Sequence, residues 1–148
     1  MSLEVSHGID LAAAPETVFD FLVDTGNFRQ LDRALVSYTP AGLMALGTTG
    51  TFVHRRGGMT ARSTWKVAEL VPPNRIRVAI VGAGYEMEET VTLEPLATGT
   101  RATFIDILRP TSIVGRLMVA LSSGIMRRDL EARATRLVGA LGSAASQK

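Results

Sequence analysis

The chain has 148 residues, 46% of them hydrophobic, which suffices for one domain with its own core and needs no disulfide, metal or cofactor to fold. With no cysteine there is no thiol nucleophile and no thiolate metal site, and with only His7 and His54 a zinc centre lacks its usual ligands. The formal charge is +2, with 14 Arg against 2 Lys among the 16 basic residues, and neither Arg55-Arg56 nor Arg127-Arg128 is interleaved with aromatics, which argues against nucleic acid as a partner.

Along the chain, Val5, His7, Ile9 and Leu11 alternate with Ser6, Gly8 and Asp10, the period of a half-buried strand. Pro15 fits a first helical turn, Glu16 suits the positive end of the helix dipole, and Val18, Phe19, Leu22 and Val23 form an apolar stripe. Asp24-Thr25-Gly26-Asn27 then breaks this helix and caps a second one, expected to carry Phe28, Leu31 and Leu35. Ser37 to Thr39 reads as a strand leading into the Pro40-Ala41-Gly42 turn, and Gly47 to Arg56 as another that ends at the hairpin signal Gly57-Gly58.

Met59 to Leu70 puts Ala61, Ser63, Trp65 and Val67 on one face and Arg62, Thr64 and Lys66 on the other. After Pro72-Pro73-Asn74, Arg75 to Val81 sets Ile76, Val78 and Ile80 opposite Arg75 and Arg77, and Gly82-Ala83-Gly84 turns the chain again. Tyr85 to Leu93 aligns Tyr85, Met87, Glu89, Val91 and Leu93, leaving Glu86, Glu88, Thr90 and Thr92 outward. Beyond the turn at Ala97 to Thr100, Arg101 to Arg109 is the last strand, with Ala102, Phe104, Asp106 and Leu108 inward.

Pro110 interrupts, Ser112 can cap, and a helix of roughly 29 residues is expected to run to Leu141, its apolar positions being Ile113, Leu117, Leu121, Ile125, Leu130, Leu137 and Leu141. Its richest stretch, Ile113 to Met126, is too short to span a bilayer and holds Arg116, Ser122 and Ser123, so it reads as core-facing. No basic-then-apolar leader opens the chain, and the cytosol is the expected location. The domain is expected to cover 1–148, with an ordered core over about 3–141 and a small polar tail over 142–148. Antiparallel strands with one apolar face need a cover, and the long helix supplies it, which makes the fold class α+β.

The run A-x-P-E-T-V-F-x-F-L-x-D-x-x-N from Ala13 to Asn27 resembles the opening of the SRPBCC superfamily (START and Bet v 1-like proteins), in particular its bacterial polyketide cyclase/dehydrase branch. The likeness continues through G-T-x-G-T-F (Gly47 to Phe52), W-K-V-A-E-L-V-P-P-N-R-I (Trp65 to Ile76), E-E-T-V-T-L-E-P (Glu88 to Pro95) and G-T-R-A-T-F (Gly99 to Phe104). Family members often carry Trp shortly after the Asn of the second helix, where this chain has Phe28, Leu31 and Asp32. The resemblance implies a helix-grip fold: a curved antiparallel sheet wrapped around a long C-terminal helix, with two short helices after the first strand. It implies a cavity between sheet and helix far more firmly than any one reaction.

On this reading Phe28, Leu31, Phe52, Trp65, Val78, Tyr85, Met87, Phe104, Leu117, Met118 and Leu121 line a pocket for a lipid, polyketide or isoprenoid-like molecule. The loop after the second helix and Gly82-Ala83-Gly84 flank its mouth. His54, Glu89 and Asp106 fall on inward strand faces and are the sparse polar anchors, although a one-residue slip of register would put all three in water. As an alternative, His54 paired with Glu89 or Asp106 supplies the acid and base of a cyclase or dehydrase. A third reading is a non-catalytic module that docks a protein or membrane through a strand edge or through Arg116, Arg127 and Arg128, and a homodimer is compatible with each. Trp65, Met87, Met118 and Met126 also fit simple packing roles, and of Glu86, Glu88 and Glu89 only the last turns inward, so no metal site is expected. Neither a G-x-S-x-G elbow, a phosphate-cradling loop nor a dinucleotide fingerprint is present, and no cofactor is implied.

Overall fold

The alternating segments pair into one antiparallel sheet in the structure, a computed structural model that describes residues 2–142. The strands are β1 (Leu3–Leu11), β2 (Leu35–Thr39), β3 (Thr49–Arg56), β4 (Met59–Val71), β5 (Arg75–Gly82), β6 (Tyr85–Leu96) and β7 (Gly99–Pro110). They lie in the order β1-β7-β6-β5-β4-β3-β2, so the first strand adds beside the last and the other neighbours are joined in sequence. Helices α1 (Pro15–Val23) and α2 (Phe28–Leu31) close one end, and α3 (Ile113–Leu121) and α4 (Ser123–Leu141) follow β7.

The core lies between the curved sheet and α1 and α4. Leu11, Val18, Trp65, Val67, Phe104, Leu130 and Leu137 are its largest fully buried side chains. The expected parities hold: Ser63, Trp65 and Val67 are buried on β4, Ile76, Val78 and Ile80 on β5, and Ala102, Phe104, Asp106 and Leu108 on β7. A bulge between Val67 and Glu69 shifts the register of β4, so that Leu70 packs on the core and Glu69 joins Arg75 and Arg77 on the outer face. Gly57 and Gly58 adopt φ of +55° and +82°, the backbone that a tight turn between β3 and β4 requires.

Two expectations are corrected. Leu35 does not belong to the second helix: that helix ends at Leu31, where Asp32 turns extended and its side chain accepts from the Ala34 N–H at 3.0 Å, and Leu35 opens β2 as a buried residue. Nor is the C-terminal helix continuous, since it breaks at Ser122. There the Ser122 N–H closes a tight turn onto Val119 O at 3.1 Å, its hydroxyl donates to Met118 O, and the run Ser122-Ser123-Gly124 has weak helix propensity.

The break changes what α3 faces. Only Gly115 and Val119 of α3 are buried, and Ile113, Val114, Leu117 and Leu121 point to solvent, so the stretch expected to face the core is largely exposed. Gly115 docks α3 on the turn between β5 and β6 so closely that a Cβ there would come within 1.9 Å of Gly84 O. At the far end of α4, Gly142 O accepts from the Ala12 N–H at 3.1 Å, so Gly142 is tied to the body, and the rest of the expected tail lies outside the described residues.

Candidate functional site

Sheet and helix diverge away from their contact line, and between them lies a cavity of about 520 Å³. One end is aromatic. Phe52 and Trp65 stack at 5.4 Å and 16°, and Phe28 meets Phe52, Trp65 and Tyr38 edge-on or tilted, with centroids 5.9, 6.4 and 5.6 Å away. The indole lies over Gly50, its partner across β3 and β4, where any Cβ would come within 2.7 Å of the ring. The packing under α2 rests on Phe28, which meets all three of these rings. The Trp65 indole N–H is buried and finds no acceptor among the described residues.

Of the sequence-derived lining residues, Phe28, Leu31, Phe52, Trp65, Val78, Tyr85, Met87, Phe104 and Met118 stand on the cavity wall, as do His54, Glu89 and Asp106. Leu117 and Leu121 do not: they are 63% and 72% exposed, because the break at Ser122 turns their face of α3 outward. Val119, Ile125 and Met126 line the wall instead.

The other end is charged. Glu89 and Asp106 are direct cross-strand partners on β6 and β7, and the Arg133 guanidinium reaches down from α4 to 3.3 Å from Glu89 Oε1 and 3.9 Å from Asp106 Oδ2. Burial of Asp106, only 5% exposed, and the charge of Glu89 push its carboxyl up to about 7, with Asp129 adding and Arg133 opposing. Burial works against the charge on Arg133, but Glu89, Asp106, Asp32 and Asp129 outweigh it and raise its pKa. Burial and then the charge of Glu89 also lift the Tyr85 phenol above its ordinary value.

His54 does not pair with Glu89 or Asp106. Its Nε2–H donates to Asp32 Oδ2 at 2.8 Å. Burial disfavours the Asp32 carboxylate, yet the hydrogen bond and charge of His54, the charge of Arg133 and the Ala34 N–H together hold its pKa below the ordinary value. Beside this pair, Arg56 Nη1 meets Asp129 Oδ2 at 2.7 Å. Sequence reasoning did not single out Asp32, Arg56, Asp129 or Arg133 for the site. Arg133 carried a signal: it lies between Leu130 and Leu137 on the buried stripe of α4, where an apolar residue would pack.

A curved antiparallel sheet closed by a C-terminal helix over a largely apolar cavity defines a helix-grip protein. The chain belongs to the polyketide cyclase/dehydrase and lipid transport family, whose model matches residues 2–142. Solved structures agree in fold. Protein CV1439 from Chromobacterium violaceum superposes with a TM-score of 0.77 at 18% identity over 94% of this chain and 96% of that one. TTHA0849 from Thermus thermophilus gives 0.72 at 21% identity over 95% and 99%, and Ara h 8.0201 gives 0.65 at 14% over 94% and 99%. No curated protein matches the sequence. Among the described residues, no helix is long and apolar enough to cross a membrane.

Proposed function

We propose that the protein binds a small, mostly apolar molecule of lipid, polyketide or isoprenoid type in the cavity between the sheet and α4. The observation that carries this reading is the cavity itself, about 520 Å³ with an aromatic and aliphatic wall and charge gathered at one end. That size falls within the range of pockets that enclose small ligands, and apolar burial would supply most of the affinity. Native mass spectrometry of the purified protein, beside a thermal-shift screen of lipids, flavonoids and polyketides, tests it. A co-purified or stabilising apolar ligand is expected, and Met87→Asp, at a partly buried position of the wall, should abolish its uptake in a protein that still folds. No mass addition and no stabilised melting across the screen would remove the reading.

A second reading is favoured by one feature, the Asp106 carboxyl whose pKa is pushed up to about 7 beside Glu89 in the cavity wall. Such a group can both give and take a proton at neutral pH, the property a cyclase or dehydrase needs. In that case Asp106→Asn loses turnover of a bound polyketide while keeping its binding, and His54→Ala, whose ring is held by Asp32, loses little. Equal loss of turnover in both variants would instead favour the histidine as a participant.

A further inference from the structure

Resting on the cavity-binding reading, we infer that the charged end of the cavity selects amphiphiles whose head is an uncharged hydroxyl or carbonyl oxygen, and excludes carboxylates such as fatty acids. Charge and occupancy decide this. Among the described residues three carboxylates, Asp32, Glu89 and Asp129, stand on the cavity wall against two guanidiniums, Arg56 and Arg133, before Asp106 is counted. Both guanidiniums already face a carboxylate: Arg56, half-exposed, meets Asp129 at 2.7 Å, and Arg133 sits 3.3 Å from Glu89 and 3.9 Å from Asp106. His54, the remaining basic group on the wall, is committed to Asp32 at 2.8 Å. A ligand carboxylate therefore has to compete with the protein's own acids for a guanidinium or lie among like charges in a partly dehydrated site.

A neutral oxygen meets no such barrier. Asp106 makes no hydrogen bond to another side chain or to backbone among the described residues, its one polar neighbour within ion-pair distance being Arg133. In its protonated form, which burial and the neighbouring Glu89 favour, it offers an O–H to a ligand carbonyl or hydroxyl. The rest of the molecule then lies along Met87, Val78 and Phe104 toward the aromatic end.

The test uses the full chain and a matched set of decyl compounds: decanol, 2-decanone, decanoate and decylamine. Trp65 is the only tryptophan and stands on the wall, so its fluorescence reports occupancy, with displacement of the uncharged dye Nile red as a second readout. Decanol and 2-decanone should bind at least about tenfold tighter than decanoate at pH 6, below the value of about 7 to which the Asp106 carboxyl is pushed and where decanoate is still ionised. Any apolar pocket penalises an ionised head to some degree, so the deciding measurement is the same ratio in Glu89→Gln and, as an independent variant, Asp129→Asn. Removing a wall carboxylate should narrow the gap between decanol and decanoate by about threefold or more in either variant that folds. Decanoate binding as tightly as decanol, decylamine binding more tightly than decanol, or an unchanged ratio in the variants would overturn the selectivity while leaving the cavity reading intact. If none of the four compounds alters Trp65 fluorescence or displaces Nile red, the cavity reading itself falls and the selectivity with it.

Discussion

Replacing Asp106 by Asn removes a titrating group without changing its shape, and the structure sets the size of the effect. The folded protein keeps the Asp106 proton up to about 7, whereas an aspartate in the unfolded chain sheds it near its ordinary value of 3.8. Between those values the folded state holds more protons, so stability is fully present at low pH and is lost as pH rises through about 7. From pH 5 to pH 8 the loss integrates to about 3 kcal/mol, which for a chain of this length is roughly 6–12 °C in Tm. Asp106→Asn should lack this slope, and Glu89 remains to pair with Arg133. Urea denaturation of both proteins at pH 5, 6, 7 and 8 measures it, since titrating groups remote from Asp106 are common to the two and cancel in the difference, leaving Asp106 and its cross-strand neighbour Glu89. Parallel stability profiles for the two proteins would refute the reasoning, for they would mean that Asp106 is ionised in the fold or never buried.

Other substitutions test the remaining parts. Leu121→Ser on the exposed face of α3 should change stability by no more than about 0.5 kcal/mol, while Leu130→Ala, at a site 1% exposed, should cost about 2–5 kcal/mol in the same denaturation assay. His54→Ala breaks a half-buried pair with Asp32 and should cost about 1 kcal/mol or less, with the Asp106-dependent slope unchanged when the pH series is repeated. Gly115→Ala drives a Cβ into Gly84 O and should destabilise by about 1–3 kcal/mol, with helical signal lost from α3 in the circular dichroism spectrum before the sheet melts.

Strand parity was the most legible feature of the chain. Because side chains alternate strictly, Glu89 and Asp106 could be set on the inner face from their apolar neighbours Met87, Val91, Phe104 and Leu108, and register then makes them cross-strand partners. Partners drawn from different elements were not legible. Asp32 follows a one-turn helix and His54 lies 22 positions later, and nothing in sequence spacing brings them to 2.8 Å. The helix break was hidden for another reason: Leu117, Leu121 and Ile125 continue a helical period across Ser122, so periodicity reports one face although the backbone turns at that serine. A period says which residues share a face of a helix, and not whether that face is covered.

The placement of β1 beside β7 also governs how the chain reaches this state. Leu3 pairs with Leu108 and Leu11 with Thr100, and Ala12 is bound to Gly142, so the first strand finds its neighbours only across most of the sequence. Strands β2 to β7 can assemble through successive hairpins, each a local step, but β1 must be held in reserve until β7 exists and must then close a loop spanning nearly the whole domain. Such distant pairing is slow, because chain entropy is lost before contacts reward it. On a ribosome the sheet would therefore grow strand by strand from its β2 edge to β7, with β1 the last to lock into place.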